Sequence, residues 1–286
     1  MNKNKYKIVF IDIDGTLVND EKKVPEQNIK AIKKLKENGI EVVLTSGRPY
    51  QSIVMYSNEV GAVPYVIGSN GGIAVNFKNN INIFSQDIPK DTAIKILELI
   101  KKNNLYTAVT LSGNLVVEEG KFSLTPENRS EVNIINSLND TLLKTQEPIM
   151  KFSIMDYDKD KLESIRRDVL NLFNVSVTKV DEFMIPMKYR EEKMNYELPY
   201  VMDIMAKGTN KAVGIKELSK YLKINLADTV VFGDGLNDIE MIKAGGLSVA
   251  MENAVDELKE LADVVTINNN EAGVAYELNK IFDLSE

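Results

Sequence analysis

The 286-residue sequence contains no histidine and no cysteine. Without imidazole or thiol there is no Ser-His-Asp triad, no cysteine nucleophile, no imidazole general base and no zinc site built from nitrogen or sulfur. Any chemistry must come from carboxylates, hydroxyls, lysine, arginine and a hard metal ion, and a covalent step falls to an aspartate or glutamate. Positive charge is short as well: 35 Lys and Arg face 42 Asp and Glu, a formal charge of -7. That balance argues against a nucleic-acid scaffold, since the phosphate backbone is held by clustered cations. An anionic substrate needs positive charge gathered locally. Long apolar runs are also missing. The first is broken by Asp12 before it reaches the length of a signal-peptide core. None approaches the roughly 20 residues of a membrane span. The lack of cysteine fits a reducing, cytoplasmic setting.

What is present begins at Tyr6–Leu17, where the apolar run Ile8-Val9-Phe10-Ile11 ends in Asp12-Ile13-Asp14-Gly15-Thr16. Such a run reads as a strand buried on both faces, the kind found in parallel sheets. Ligands in open α/β sheets sit beyond the carboxyl ends of the strands, where Asp12 and Asp14 fall. Residues two apart on an extended chain point the same way, so both carboxylates can address one centre. Like charges that close call for a cation, for which hard oxygen ligands select Mg2+, or for a proton on one of them. Taken alone, the stretch also reads as a strand-end acid followed by a turn glycine.

A helix is expected over Pro25–Asn38, with Ile29, Ile32 and Leu35 on one face and Gly39 as its stop. The next strand, Ile40–Leu44, ends in Thr45-Ser46-Gly47-Arg48-Pro49. Hydroxyls with the backbone N–H groups around Gly47 can hold phosphate oxygens, or merely cap a helix. A helix near Ser52–Glu59 leads to the strand Tyr65–Ile67 and the turn Gly68-Ser69-Asn70-Gly71-Gly72, which is neither a dinucleotide nor a P-loop fingerprint.

From about Ser85 the pattern changes to a helix at Asp91–Lys101, a hairpin of Thr107–Leu111 with Leu115–Val117, and a strand at Ile149–Met155. A helix follows at Asp160–Phe173, with Asp160 and Glu163 as its capping pair, then strands at Val175–Lys179 and Phe183–Ile185. This mixture points to a second α+β domain inserted into the first. Asp156-x-Asp158-x-Asp160 lacks the glycine and glutamate of a calcium loop. Residues 186–200, polar and bounded by prolines, read as an exposed excursion of the insert.

The α/β pattern is expected to return at Met202–Met205, with Lys207-Gly208-Thr209-Asn210-Lys211 opening a helix. A lysine there opposes the helix dipole, which makes sense if it serves a bound anion and is otherwise a solvated side chain. Thr229–Gly233 is a second apolar strand ending in acids, Asp234-Gly235-Leu236-Asn237-Asp238. The strands Leu247–Met251 and Val264–Ile267 and the helices Ala254–Leu261 and Ala272–Phe282 complete the sheet. The clusters Asp12/Asp14, Thr45/Ser46, Lys207/Lys211 and Asp234/Asp238 are thereby expected on one rim.

The four motifs in this order, D-x-D-G-T, hydroxyl-G-R, K-G-x-x-K and G-D-G-x-N-D, resemble the haloacid dehalogenase superfamily, specifically its Cof-type phosphatases with a large α/β cap. The resemblance runs end to end, with Ala262-Asp263 and Glu271–Val274 similar to the family's closing segment. It implies an α/β fold, a Rossmann-like parallel-sheet core (residues 1–85 and 204–286) holding an inserted α+β cap (86–203) that selects substrate. It also implies that Asp12 is a nucleophile taking up the phosphoryl group and Asp14 an acid to the leaving alcohol, then a base for water. Mg2+ is expected on Asp12, the backbone carbonyl of Asp14 and Asp234, with Asp238 supporting it from behind. Phosphate is expected on Ser46, with Thr45 in reserve, and on Gly47, Asn237 and a lysine. Lys211 is the favoured lysine, although Ala212 stands where the family has glycine, and Lys207 is the alternative. The implied substrate is a small phosphorylated metabolite, a sugar phosphate or phosphorylated cofactor. A phosphotransferase or mutase, and a binding sensor without turnover, are the competing readings. A receiver-type switch fails on motif order and size. Neither substrate nor oligomeric state is legible.

Overall fold

The computed structural model describes residues 5–119, 132–182 and 199–284. The chain forms two compact units, one of Met1–Phe84 and Asn210–Glu286, the other of Ser85–Thr209. Numbered along the chain, strands β1–β5 and β13–β15 form the sheet of the first unit and β6–β12 that of the second.

The first sheet contains β1 (Ile8–Asp12), β2 (Glu41–Thr45), β3 (Tyr65–Gly68), β4 (Ile73–Asn76), β5 (Ile81–Ser85), β13 (Thr229–Gly233), β14 (Leu247–Ala250) and β15 (Val264–Val265). Their order is β15-β14-β13-β1-β2-β3-β4-β5. The pairs from β15 through β3 are parallel, and β4 runs antiparallel to β3. Every residue of β1 and of β13 is buried, as the unbroken apolar runs require of central strands covered on both faces. Asp12 sits opposite Thr45, and Ile11 opposite Phe232, so the carboxyl ends of β2, β1 and β13 lie side by side.

Helix α1 (Glu26–Glu37) buries Ala31, Ile32 and Leu35 and ends before Gly39, whose φ of +74° stops it. Helix α2 (Tyr50–Val60) follows β2. After the insert come α6 (Lys211–Leu222), α7 (Ile239–Ala244), α8 (Asp256–Leu261) and α9 (Gly273–Phe282).

The second unit orders its sheet β10-β12-β9-β6-β7-β8, with β11 on β12. Its strands are β6 (Tyr106–Leu111), β7 (Asn114–Glu118), β8 (Val132–Ile135), β9 (Ile149–Asp156), β10 (Val175–Val177), β11 (Asp181–Glu182) and β12 (Tyr200–Ala206). Its helices are α3 (Lys90–Lys102), α4 (Leu138–Lys144) and α5 (Lys159–Leu172). Ile96, Ile100, Leu142 and Val169 from these helices join Phe152, Ile154 and Ile204 of the sheet in one core. Each such side chain contributes about 1.5–3 kcal/mol when taken fully out of water.

Three expectations need correction. Met202–Met205 lie within β12, which pairs antiparallel with β9, Ile204 opposite Phe152; the chain therefore leaves the second unit after Thr209 and not after residue 203. Lys207 does not open a helix: Gly208 turns at φ +81°, and the Asn210 side chain caps α6 by accepting from the Val213 N–H. Helix α5 is capped by Asp158, which accepts from the Lys161 N–H, and not by Asp160 and Glu163. The expected strand at 183–185 and the excursion at 186–198 lie outside the described residues, while Tyr200 already belongs to β12. Among the described residues, no helix is long and apolar enough to cross a membrane.

Candidate active site

The site grows from the carboxyl ends of β1 and β13 in the first unit. Asp12, the last residue of β1, is buried. The Nζ of Lys211, a side chain with no exposure at all, donates to Asp12 Oδ1 and to Asp238 Oδ1 at 2.5 Å each. Asp238 Oδ2 accepts the backbone N–H groups of Asp234 and Gly235, both at 3.0 Å, which fixes the turn after β13. Asp234 Oδ1 accepts from the Thr16 hydroxyl at 2.7 Å. Carboxylate oxygens of Asp12, Asp234 and Asp238 lie within 4.8 Å of one another. Gly15 makes the approach possible: its φ is +81°, and a Cβ there would come within 2.2 Å of Asp234 Oδ2.

Two buried carboxylates, Asp12 and Asp238, share one ammonium with the half-buried Asp234 beside them, and their protonation reflects it. Burial pushes Asp12 well up from the ordinary carboxylate range; Lys211 opposes that, while Asp238 and Asp234 reinforce it. Asp234 is pushed up to about 7, first by burial and then by the charge of Asp238. Burial would lower Lys211, but Asp12 and Asp238 outweigh it and hold the ammonium above its usual range.

Asp14, two residues on, has the opposite surroundings. Arg48 grips it with two hydrogen bonds, Nε to Oδ2 and Nη2 to Oδ1, both 2.8 Å, and Lys22 Nζ donates to Oδ1 at 2.8 Å. Desolvation would raise its pKa, but Arg48 and then Lys22 overcome it, so the carboxyl stays well below the usual range. Its side chain is not part of the Asp12 cluster.

On the β2 side, Ser46 Oγ accepts the Arg48 N–H at 3.2 Å. The buried Thr45 Oγ1 has no hydrogen-bond partner among the described residues. Asn237 Nδ2 donates to Asn70 Oδ1 at 3.1 Å. Of the two candidate lysines the structure brings Lys211 to Asp12. Lys207 belongs to the second unit, where its side chain is exposed and its carbonyl accepts from Gln86.

Thr16, Arg48, Lys22 and Asn70 were not expected among the site residues. Thr16 and Arg48 stand inside two of the motifs and were within reach of the sequence. Nothing in the sequence pairs Lys22 with Asp14, and Asn70 is visible only as one letter of a turn.

Comparison with known proteins gives the family. Residues 9–278 match the haloacid dehalogenase-like hydrolase family. The chain is 30% identical over 271 residues to the 5-amino-6-(5-phospho-D-ribitylamino)uracil phosphatase YcsE of Bacillus subtilis, covering 94% of this chain and 93% of that one. It is 26% identical over 280 residues to the phosphatase YitU of the same name and organism, covering 97% and 98%. A solved haloacid dehalogenase-like hydrolase from Bacteroides thetaiotaomicron superposes with a TM-score of 0.78 at 27% identity, over 97% of this chain and 100% of that one. The chain belongs to the haloacid dehalogenase-like hydrolases and is a Cof-type phosphatase, a phosphoric monoester hydrolase.

Proposed function

We propose that the chain is a Mg2+-dependent phosphatase of small phosphorylated metabolites that works through an aspartyl phosphate on Asp12. The observation that carries this reading is the cluster of buried Asp12 and Asp238, bridged by Lys211, with the half-buried Asp234 beside them and no cation paired to it in that cluster. Removing charge from water is costly unless it is paired, so the surplus of carboxylate calls for a further cation. The donors are all hard oxygens, which suit Mg2+. Asp12 and Asp234 would hold the ion, whose contribution is positive charge beside the phosphoryl oxygens. Asp238 is already occupied by Lys211 and two backbone N–H groups, and orients the others.

Asp12 attacks phosphorus with its free oxygen, and the bond to the ester oxygen breaks as the acyl phosphate forms. Asp14 protonates the departing alkoxide. Water then attacks the same phosphorus, Asp14 takes its proton, and phosphate leaves with Asp12 restored. Lys211, the Ser46 hydroxyl, the Gly47 N–H, Asn237 and Thr45 are the groups assigned to the phosphoryl oxygens. Asp14 is held by Arg48 and Lys22 as the anion, the form that serves the second half. Acting as acid in the first half requires that grip to open.

YcsE and YitU are named for a substrate phosphorylated on a ribityl chain. A sugar or polyol phosphate, or a cofactor precursor carrying one, is therefore the substrate class we assign. No nucleic-acid partner is expected, and the setting is cytoplasmic. The test is phosphate release from a panel of such esters, with and without Mg2+, by wild type and Asp12→Asn. Release that depends on Mg2+ and is lost in the variant supports the reading; an unchanged variant removes the nucleophile. Transfer to a sugar acceptor with no free phosphate identifies a phosphotransferase instead.

A further inference from the structure

We infer that Asn70 is a positioning residue for phosphate binding, acting through Asn237; this rests on the assignment of Asn237 to the phosphoryl group. Asn70 follows β3 in the turn Ser69–Gly71, whose residues take φ values of 51°, 54° and 87° in succession. Left-handed backbone at two consecutive non-glycine residues is strained and persists only where the surroundings impose it. Here the loop after β2 and the start of α6 do. The Asn70 N–H donates to the Ser46 carbonyl at 3.0 Å, and the Ser69 N–H to the Arg48 carbonyl at 2.9 Å. The Asn70 amide lies over Gly47, where a Cβ would come within 2.9 Å of its Oδ1. Gly71 meets the start of α6, where a Cβ would come within 2.1 Å of the Asn210 carbonyl oxygen and 2.8 Å of the Lys211 Cα.

The turn thus touches the loop after β2, Asn237 and the helix that carries Lys211, the elements to which phosphate binding is assigned. Asn237 is an exposed residue with many rotamers open to it, whereas Asn70 is 7% exposed and fixed. By accepting from Asn237 Nδ2, Asn70 selects one orientation of that amide and leaves its second N–H for a phosphoryl oxygen. Ordering the donor beforehand spares that cost when the ligand arrives. Asparagine suits the position because it enters left-handed backbone readily and also offers the accepting oxygen.

The experiment measures the cost of Asn237→Ala in three backgrounds, by calorimetric titration of inorganic phosphate in Mg2+. In the wild-type background phosphate affinity falls about tenfold, the scale of one lost hydrogen bond to an anion. In Asn70→Asp, which keeps the accepting oxygen, the same fold-loss returns from whatever starting affinity the added charge leaves. In Asn70→Gly, whose backbone tolerates the turn, the further loss is no more than about twofold. With a turned-over ester, Asn70→Gly raises KM more than it lowers kcat. An equal loss in all backgrounds overturns the inference, because Asn70 then does not act through Asn237. A wild type that binds no phosphate, or an Asn237→Ala protein that binds it unchanged, also overturns it. Asp12→Asn, tested separately, tells whether the hydrolase reading falls too.

Discussion

Asp12 and Asp14 are separated by one residue, yet the chain gives them opposite surroundings. Asp12 is buried with Asp238 on one lysine and has the half-buried Asp234 close by, an excess of negative charge. Asp14 lies half-buried between Arg48 and Lys22, an excess of positive charge. The first environment draws a cation and raises proton affinity; the second expels the proton. Paired carboxylates take different roles when their environments push them apart, and here the push comes from side chains distant in sequence.

The contrast can be broken most severely at Asp12. Asp12→Asn keeps the shape and removes the proposed nucleophile, and kcat should fall by at least about 10^3-fold in a phosphate-release assay. Lys211→Met leaves buried carboxylates without their shared cation. A loss of about 3–5 kcal/mol is expected in denaturant unfolding, as for a buried pair deprived of one partner, together with weaker phosphate binding.

Metal and pH sharpen the same comparison. Asp234 has its folded pKa raised to about 7 above an unfolded value of 3.8, so its contribution is fully present below the unfolded value and lost as pH rises through about 7. The metal-free protein should lose stability over that window, and Mg2+, which binds the ionised form, should raise the melting temperature more at about pH 8 than at about pH 5. A rise independent of pH counts against a metal on Asp234.

On the other side, Arg48→Met removes the largest influence depressing Asp14. Its pKa then moves up toward the ordinary value, and the acid limb of the kcat profile, set by ionisation of the base, shifts to higher pH. An unmoved limb separates Asp14 from the proton transfers. The smallest effect belongs to Thr16→Val, which removes one hydrogen bond to Asp234 and costs about 0.5–1.5 kcal/mol in thermal or denaturant unfolding.

The strands that build the site were legible because β1 and β13 are apolar throughout and end abruptly in acids, a pattern set by burial on both faces. Lys211 was already the favoured lysine in the sequence, with Lys207 as the alternative, and the cap made by Asn210 puts Lys211 at the start of α6. The end of the insert was misread because β12 is rich in apolar residues although it carries Asp203, and its antiparallel pairing with β9 shows its sheet. Arg48 and Lys22 on Asp14 depend on long side chains reaching across loops, which periodicity does not encode.

The cap of α6 has a further consequence. The second unit ends at Thr209, Asn210 closes the helix start, and Lys211 follows at once with its ammonium on Asp12. The last step of the insert is locked in phase: one residue gained between Asn210 and Lys211 would swing the lysine by about 100° around the helix axis. The exit of the inserted unit therefore sets the register of the lysine that meets Asp12.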